Sequence, residues 1–197
     1  MLVDVYTFTS DSKDFNVATE NLKDYSGKSG GIMNYEKISA SDTNAIEELS
    51  DMSTEIVKEH FDSIIGVVQN EYMIGRFQSV QSITEQLEHG YQYYFVRDIE
   101  GKKVGFLAFY PRGSELYLSK FYLYKVQRRK GFSRDMLQFV IQRAKENGLS
   151  SISLNVNKNN SAVMAYEKLG FIKIREEKND IGNGFFMDDF VYNYLIK

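Results

Sequence analysis

The 197-residue chain has no cysteine, no tryptophan, one proline and two histidines. Without cysteine there is no disulfide, no thiol nucleophile and no thiolate metal site. His60 and His89 lie on separate helical stretches, so no metal site is expected and structural or surface roles are read for both. No apolar run approaches the length that crosses a bilayer, and the first residues lack the basic, apolar, then small-residue order of a secretion signal. Excess positive charge is missing too. Lys and Arg number 24 against 27 Asp and Glu, which argues against a general nucleic-acid binder with its basic stripe. The expectation is a cytoplasmic protein that binds neither nucleic acid nor membrane.

What the chain has is rings: 14 Tyr and 14 Phe within a 43% hydrophobic composition, enough for one real core. Residues 1–32 stand apart. They are polar, lack sustained periodicity and end in a Gly/Ser run, so they are read as a flexible N-terminal extension or leader, with the folded domain spanning 33–197. Gly27-Lys28-Ser29 matches the end of a phosphate-binding loop, but Leu22 stands where that motif needs its first glycine, so linker is the preferred reading.

From 42 to 68 the apolar spacing is helical, through Ile46, Leu49, Ile56, Ile64 and Val67. A second helix is predicted over 82–90, capped by Ser82 with Glu85 three residues on and closed by Gly90. Two aromatic runs around Glu100-Gly101 form a hairpin, ended by Pro111 and Gly113. A strand over 115–126, a helix over 130–147, a strand over 151–156, a short helix over 160–169 and two last strands complete the order β-α-α-β-β-β-α-β-α-β-β. The crossover helix implies that strands 115–126 and 151–156 run parallel. In the first of these the apolar parity shifts, from Leu116 and Leu118 to Phe121 and Leu123. One inserted residue near Ser119-Lys120, a β-bulge, returns both sets to one side.

At the mouth of helix 130–147 the charge pattern reverses. Arg128, Arg129, Lys130 and Arg134 crowd into seven residues, followed by the stripe Phe132, Met136, Leu137, Val140, Ile141 and Ala144. Cations at a helix N-terminus work against the macrodipole, so the arrangement makes sense if an anion sits there, bound by first-turn amides, dipole and side chains together. Gly131 lets the backbone come close and Ser133 adds a hydroxyl without bulk. On charge alone, a solvated helix start fits equally well.

Arg128-Arg129-Lys130-Gly131-Phe132-Ser133 also fits the pattern Q/R-x-x-G-x-G/A, except that Ser133 replaces the usual Gly or Ala. Asn159, Ala162, Tyr166, Gly170 and Phe171 fit N-x-x-A-x-x-x-Y-x-x-x-G-F. With these two motifs and its element order, the chain resembles the GNAT superfamily of N-acetyltransferases over roughly residues 34–197, and more loosely its bacterial members that acetylate polyamines and other small amines.

The resemblance implies an α/β fold with a mixed, mostly antiparallel sheet of six to seven strands. About four helices would flank it, and it would splay between two central parallel strands. It implies acetyl-CoA as cosubstrate and no metal. The pyrophosphate would lie on Arg128, Arg129, Lys130, Gly131, Phe132, Ser133 and Arg134. The pantetheine arm would pair with backbone at Phe121, Tyr122 and Leu123, and a bulge N–H would face the thioester oxygen. Asn159 would hydrogen-bond the arm, or cap helix 160–169, or do both. Tyr166 would protonate the departing thiolate as general acid, its alternative being a core aromatic. Some relatives carry a glutamate at the position of Ser119. Here the base is left among Glu115, Asp188, Asp189 and a water relay through tyrosine hydroxyls.

The activity implied is transfer of acetyl from acetyl-CoA to a primary amine, on a small molecule or peptide, by direct attack in a ternary complex. The absence of cysteine removes the commonest covalent route. The alternative, prompted by Ser119, is a non-catalytic acyl-CoA-binding regulatory module. The resemblance is also compatible with a homodimer.

Overall fold

The computed structural model describes residues 33–197. The N-terminal extension and the Gly27-Lys28-Ser29 tripeptide lie outside the described residues. The chain runs β1 (Asn34–Lys37), α1 (Thr43–Ile65), α2 (Val67–Phe77), α3 (Val80–Glu88), β2 (Gln92–Arg97), β3 (Lys103–Arg112) and β4 (Glu115–Leu123). After a 3₁₀ turn over Lys125–Gln127 it continues through α4 (Phe132–Glu146), β5 (Ser151–Asn157), α5 (Val163–Leu169), β6 (Ile172–Gly182) and β7 (Phe185–Leu195). The seven strands form one sheet in the order β1-β2-β3-β4-β5-β7-β6. Among the described residues β4 and β5 are the one parallel pair. This is the mixed, mostly antiparallel α/β architecture expected, with seven strands and a fifth helix.

That extra helix is α2. The expected helix over 42–68 stops at Ile65, breaks at Gly66 (φ 83°) and restarts at Val67. The pattern hides the start of α2 because its first turn is inverted, with Val67 and Val68 exposed and Asn70 buried ahead of the ordinary buried pair Met73 and Ile74. Asn70 earns its place by donating to Val57 O (3.3 Å) and Asp62 Oδ1 (2.7 Å), which ties α2 back onto α1. The cap of α3 also moves. Ser79, not Ser82, is the N-cap, its hydroxyl accepting from the Ser82 N–H at 3.2 Å. Ser82 instead donates to Arg76 O, so the helix begins earlier than its capping-box pattern suggests.

The sheet separates two apolar layers. On one face α4 and α5 pack Met136, Leu137, Val140 and Tyr166 against Leu116, Leu118, Phe121, Leu123, Ile152, Leu154 and Val156. On the other, α1 and α3 pack Ile46, Leu49, Ile56, Phe61 and Ile83 against Tyr93, Phe95, Phe106, Ala108 and Tyr122. A fully buried Leu or Ile contributes about 1.5–3 kcal/mol through its burial.

Leu116, Leu118, Phe121 and Leu123 share one layer only because the register slips between the pairs Phe109↔Leu118 and Ala108↔Lys120, leaving Ser119 as the extra residue. The expected bulge is therefore present. Beside it, Gly105 of β3 lies so close to β4 that a Cβ there would stand 2.0 Å from the Tyr122 carbonyl oxygen. Only glycine fits that approach.

β6 closes the sheet as an exposed edge. It carries Lys173, Arg175, Glu176, Glu177 and Lys178 and slips register twice against β7.

Candidate active site

β4 and β5 pair over only three positions, Glu115 with Ser151, Leu116 with Ile152 and Tyr117 with Ser153. Both strands continue, to Leu123 and Asn157, so they part just where the Ser119 bulge begins. Because the pair is parallel, the gap opens toward the C-terminal ends of both strands. The segment leaving β4 at that end is the basic turn, and the one leaving β5 leads into α5.

The turn is built from unusual backbone. Arg129 has φ 65° and Gly131 φ 87°, both left-handed, and Gly131 at the N-cap of α4 allows this without the strain a Cβ brings. No side chain caps α4, and of its first amides only that of Arg134 is taken up among the described residues, by Gly131 O at 3.0 Å, so those before it keep their hydrogen-bonding capacity. Arg129, Lys130 and Arg134 are exposed, with Lys130 Nζ resting on Gln127 Oε1 at 2.8 Å. Phe132 and Ser133 are half-buried in the first turn.

Arg128 differs from its neighbours. It folds inward, donating through Nε to Leu123 O (3.1 Å) and through Nη1 to His60 Nδ1 (3.1 Å). Burial lowers its pKa, yet an arginine stays charged at any ordinary pH. Its Nη2 is buried and has no hydrogen-bond partner among the described residues.

At the α5 end of the gap the structure distinguishes two neighbouring asparagines. Asn159 is exposed, its backbone N–H donating to Asn157 Oδ1 at 2.9 Å. Its side chain is not the cap of α5, which starts at Val163 with no side-chain cap at all. Asn160 is 2% exposed. Its Oδ1 accepts from Ala162 N (2.9 Å) and meets His60 Nε2 (3.0 Å), while its Nδ2 has no partner among the described residues.

Tyr166, one helical turn beyond Ala162, is fully buried on the α4/α5 face. Its ring lies 6.5 Å from Phe121, just past the bulge, and edge-on to Phe171 at 5.6 Å. The glycine-aromatic end of the second motif serves this packing. Gly170 (φ 99°) stops α5, and Phe171 N–H returns to Tyr166 O at 3.1 Å. Phe121, Tyr122 and Leu123 all sit on the β4 side of the gap and are buried. At the bulge itself the Ser119 hydroxyl is fully buried with no hydrogen-bond partner among the described residues.

The opposite side of the gap, facing α1 to α3, is polar. The Tyr117 hydroxyl donates to Asn155 Oδ1 (3.3 Å), and Asn155 Nδ2 donates to Glu177 Oε2 (3.1 Å). Burial pushes the Glu177 carboxyl up, but the hydrogen bonds from Asn155 and Arg175 outweigh it and hold its pKa below the ordinary value. Asp189 stands directly across the strands from Glu177 and from Asn157, and Lys120 directly across from Ala108, which places both on this same face. They are the two charged residues that are buried among the described residues.

Two other carboxylates considered from the sequence are committed elsewhere. Glu115 takes two bonds from Arg112, at 2.9 and 2.5 Å, at the closed end of the β4–β5 pair. Asp188 is bridged by Lys158 at 2.6 Å. No group of three or more His, Cys, Asp or Glu able to hold a metal occurs among the described residues. None of their helices is long and apolar enough to cross a membrane.

His60 and Asn160 were not legible as site residues. His60 lies 68 residues from Arg128 and 100 from Asn160, so no local pattern joins them. For Asn160 a signal existed, because an Asx turn onto Ala162 is what an asparagine between strand and helix favours.

Known proteins bear on this geometry. No curated protein matches the chain. The PaiA N-acetyltransferase of Thermoplasma acidophilum, solved in complex with coenzyme A, is 18% identical, with a TM-score of 0.67 over 83% of this chain and 98% of its own. The Vibrio cholerae spermidine N-acetyltransferase, solved with CoA and spermine, is 16% identical, with a TM-score of 0.58 over 84% and 96%. The Escherichia coli ribosomal-protein-S18-alanine N-acetyltransferase is 17% identical, with a TM-score of 0.57 over 83% and 94%. At these identities the likeness is one of fold. Residues 48–187, well over half the chain, match the family model of the acetyltransferase (GNAT) domain. The parted strands, the glycine turn and the buried tyrosine thus sit in a chain that belongs to the GNAT acetyltransferase family.

Proposed function

We propose that the protein is an acetyl-CoA-dependent N-acetyltransferase that passes the acetyl group to a primary amine by direct attack in a ternary complex. The observation that carries this reading is the parting of β4 from β5 beside the Ser119 bulge, with the uncapped α4 terminus and its basic turn at the open end. The complexes of two structural neighbours, one with coenzyme A and one with CoA and spermine, support the choice of cosubstrate and acceptor class.

The residues present fit a coenzyme A thioester. Amides of residues 131–133 and the exposed Arg129, Lys130 and Arg134 side chains suit a pyrophosphate. Asn160 Nδ2 and Arg128 Nη2 are buried donors that a pantetheine carbonyl or phosphate oxygen would satisfy. Asn159, being exposed, is the weaker partner of the two asparagines for the arm. Backbone groups of Phe121, Tyr122 and Leu123 line the gap and would pair with the arm as an added strand pairs.

The thioester supplies the activated acyl carbon. The amine nitrogen attacks it, a C–N bond forms and the C–S bond breaks. A bulge N–H near Ser119 stabilises the charge developing on oxygen. The Tyr166 hydroxyl gives its proton to the departing sulfur. The amine arrives from the α1–α3 face, where Glu177, held by Asn155, draws its cationic form, and its proton leaves through Asp189 or the Tyr117 hydroxyl. Glu115, at the closed end of the β4–β5 pair, and Asp188, on the other face of β7 from Asp189, take no part.

The test is a screen for thiol release from acetyl-CoA in the presence of polyamines, amino acids, aminoglycosides and peptide N-termini. Amine-dependent release is expected. Thermal stabilisation by CoA without release for any amine would instead establish the acyl-CoA-binding regulatory module that Ser119 suggests. Stabilisation by ATP-Mg²⁺ alone would point back to Gly27-Lys28-Ser29.

A further inference from the structure

His60 stands between the two motifs that frame the gap. Its ring nitrogens have different partners, Asn160 Oδ1 at 3.0 Å from Nε2 and Arg128 Nη1 at 3.1 Å from Nδ1. These partners dictate its protonation. Asn160 Oδ1 already accepts from the Ala162 N–H, which identifies it as the amide oxygen, so Nε2 must carry a hydrogen and donate. A guanidinium only donates, so Nδ1 must offer its lone pair. A neutral Nε2–H imidazole satisfies both bonds and an imidazolium cannot.

The surroundings agree. Burial lowers the His60 pKa to about 4, against an opposing pull from Asn160 and Glu59, and with Arg128 lowering it further. The two bonds use one nitrogen of Arg128 and the oxygen of Asn160. What they leave over is a pair of buried donors, Arg128 Nη2 and Asn160 Nδ2, neither with a partner among the described residues. Buried donors of this kind are rare, and a ligand that brings acceptors satisfies them.

We propose that His60 is a positioning residue for the cosubstrate: it locks the Asn160 amide and the Arg128 fork so that both spare donors meet acceptor oxygens of the pantetheine-diphosphate arm. The inference rests on the acetyl-CoA reading above. It assigns a binding role to α1, the helix that covers the opposite face of the sheet, and makes that helix the clamp between the basic turn and α5. Without His60 the Asn160 amide can flip and the Arg128 fork can swing, and the cosubstrate must order both.

The test compares two variants in calorimetric titrations of the whole protein with coenzyme A. His60→Leu keeps bulk and loses both bonds. His60→Gln keeps one donor for Asn160 and one acceptor for Arg128. Binding should weaken about tenfold in His60→Leu and stay within about twofold of wild type in His60→Gln. In turnover assays the His60→Leu loss should appear in the KM for acetyl-CoA and not in kcat. Unchanged affinity in His60→Leu, or equal losses in both variants, overturns the positioning role. No binding by the wild type overturns the acetyl-CoA reading itself, a different failure. A measurement that needs no variant is the long-range ¹H–¹⁵N spectrum of the wild-type histidines. A single neutral Nε2–H tautomer of His60 near pH 7 is expected, and the other tautomer or an imidazolium overturns the proposal even if His60→Leu fails to fold.

Discussion

The two faces of the sheet around the parted strands contrast in kind. The α4/α5 face is apolar, with Leu118, Phe121 and Tyr166 beside the glycine turn to which we assign the cosubstrate phosphates. The α1–α3 face is a polar line, Tyr117 to Asn155 to Glu177, with Lys120 and Asp189 buried on the same side. The first face offers backbone groups and left-handed turn geometry, the second a set of polar and charged side chains. On the proposed reading the first holds the cosubstrate and the second the amine.

The sharpest way to break the contrast is Tyr166→Phe, which removes one hydroxyl and keeps the ring against Phe121 and Phe171. On the proposed mechanism turnover falls by a factor on the order of a hundred while acetyl-CoA affinity holds. Near wild-type turnover, with chemistry shown to be limiting, would return Tyr166 to the core.

Gly105→Ala attacks the frame common to both faces. Its Cβ would strike the backbone of β4, so urea denaturation should show a loss of about 2 kcal/mol, within the range for overpacked sites. A loss below the error of the measurement would mean that β3 and β4 can part more easily than their spacing suggests.

Glu177→Gln should act on one face alone. It should raise the KM for a cationic amine about tenfold and leave the KM for acetyl-CoA unchanged. Equal changes in both would dissolve the division of labour.

On the other face, replacing Arg129 and Lys130 together by Ala should weaken acetyl-CoA binding about fivefold at low salt, because exposed pairs are worth little each. The difference should shrink at about 0.5 M salt, where such pairs are screened. Titration calorimetry at two ionic strengths decides, and a salt-independent or absent effect would remove the phosphates from the basic turn.

The smallest effect concerns acid. The His60 pKa is about 4 in the folded chain against an ordinary 6.5, so the unfolded chain takes up this proton first. Stability therefore falls as pH drops from about 6.5 to about 4 and is untouched above that window. With the ring partly solvated, the loss amounts to about 1 kcal/mol. His60→Gln should be free of it, so wild-type and variant melting curves should draw apart on acidification. Parallel curves would contradict the depressed pKa.

Legibility from sequence divided along similar lines. The bulge could be read because Leu116, Leu118, Phe121 and Leu123 change parity within one strand, and a period of two leaves few ways to reconcile that. The basic turn could be read because glycine and charge at a helix start are local. The start of α2 could not, since its first turn buries Asn70 and exposes two valines, and the apolar pair Met73 and Ile74 comes only later. The neighbouring Asn159 and Asn160 satisfy nearly the same spacing, and only the fold shows which is buried. The Tyr117–Asn155–Glu177 line and the His60 clamp join residues distant in the chain, where no period or motif operates.

The outer strand has a consequence of another sort. β6 is an eleven-residue edge whose backbone groups face outward, the form most easily copied by a neighbouring polypeptide. It is protected against that. Two register slips twist it, and Lys173, Arg175, Glu176 and Glu177 line it in ion pairs that a docking strand would have to desolvate. At the far border β1 offers only four residues. Among the described residues neither rim presents the long, flat, apolar ribbon on which fibril-like growth is templated.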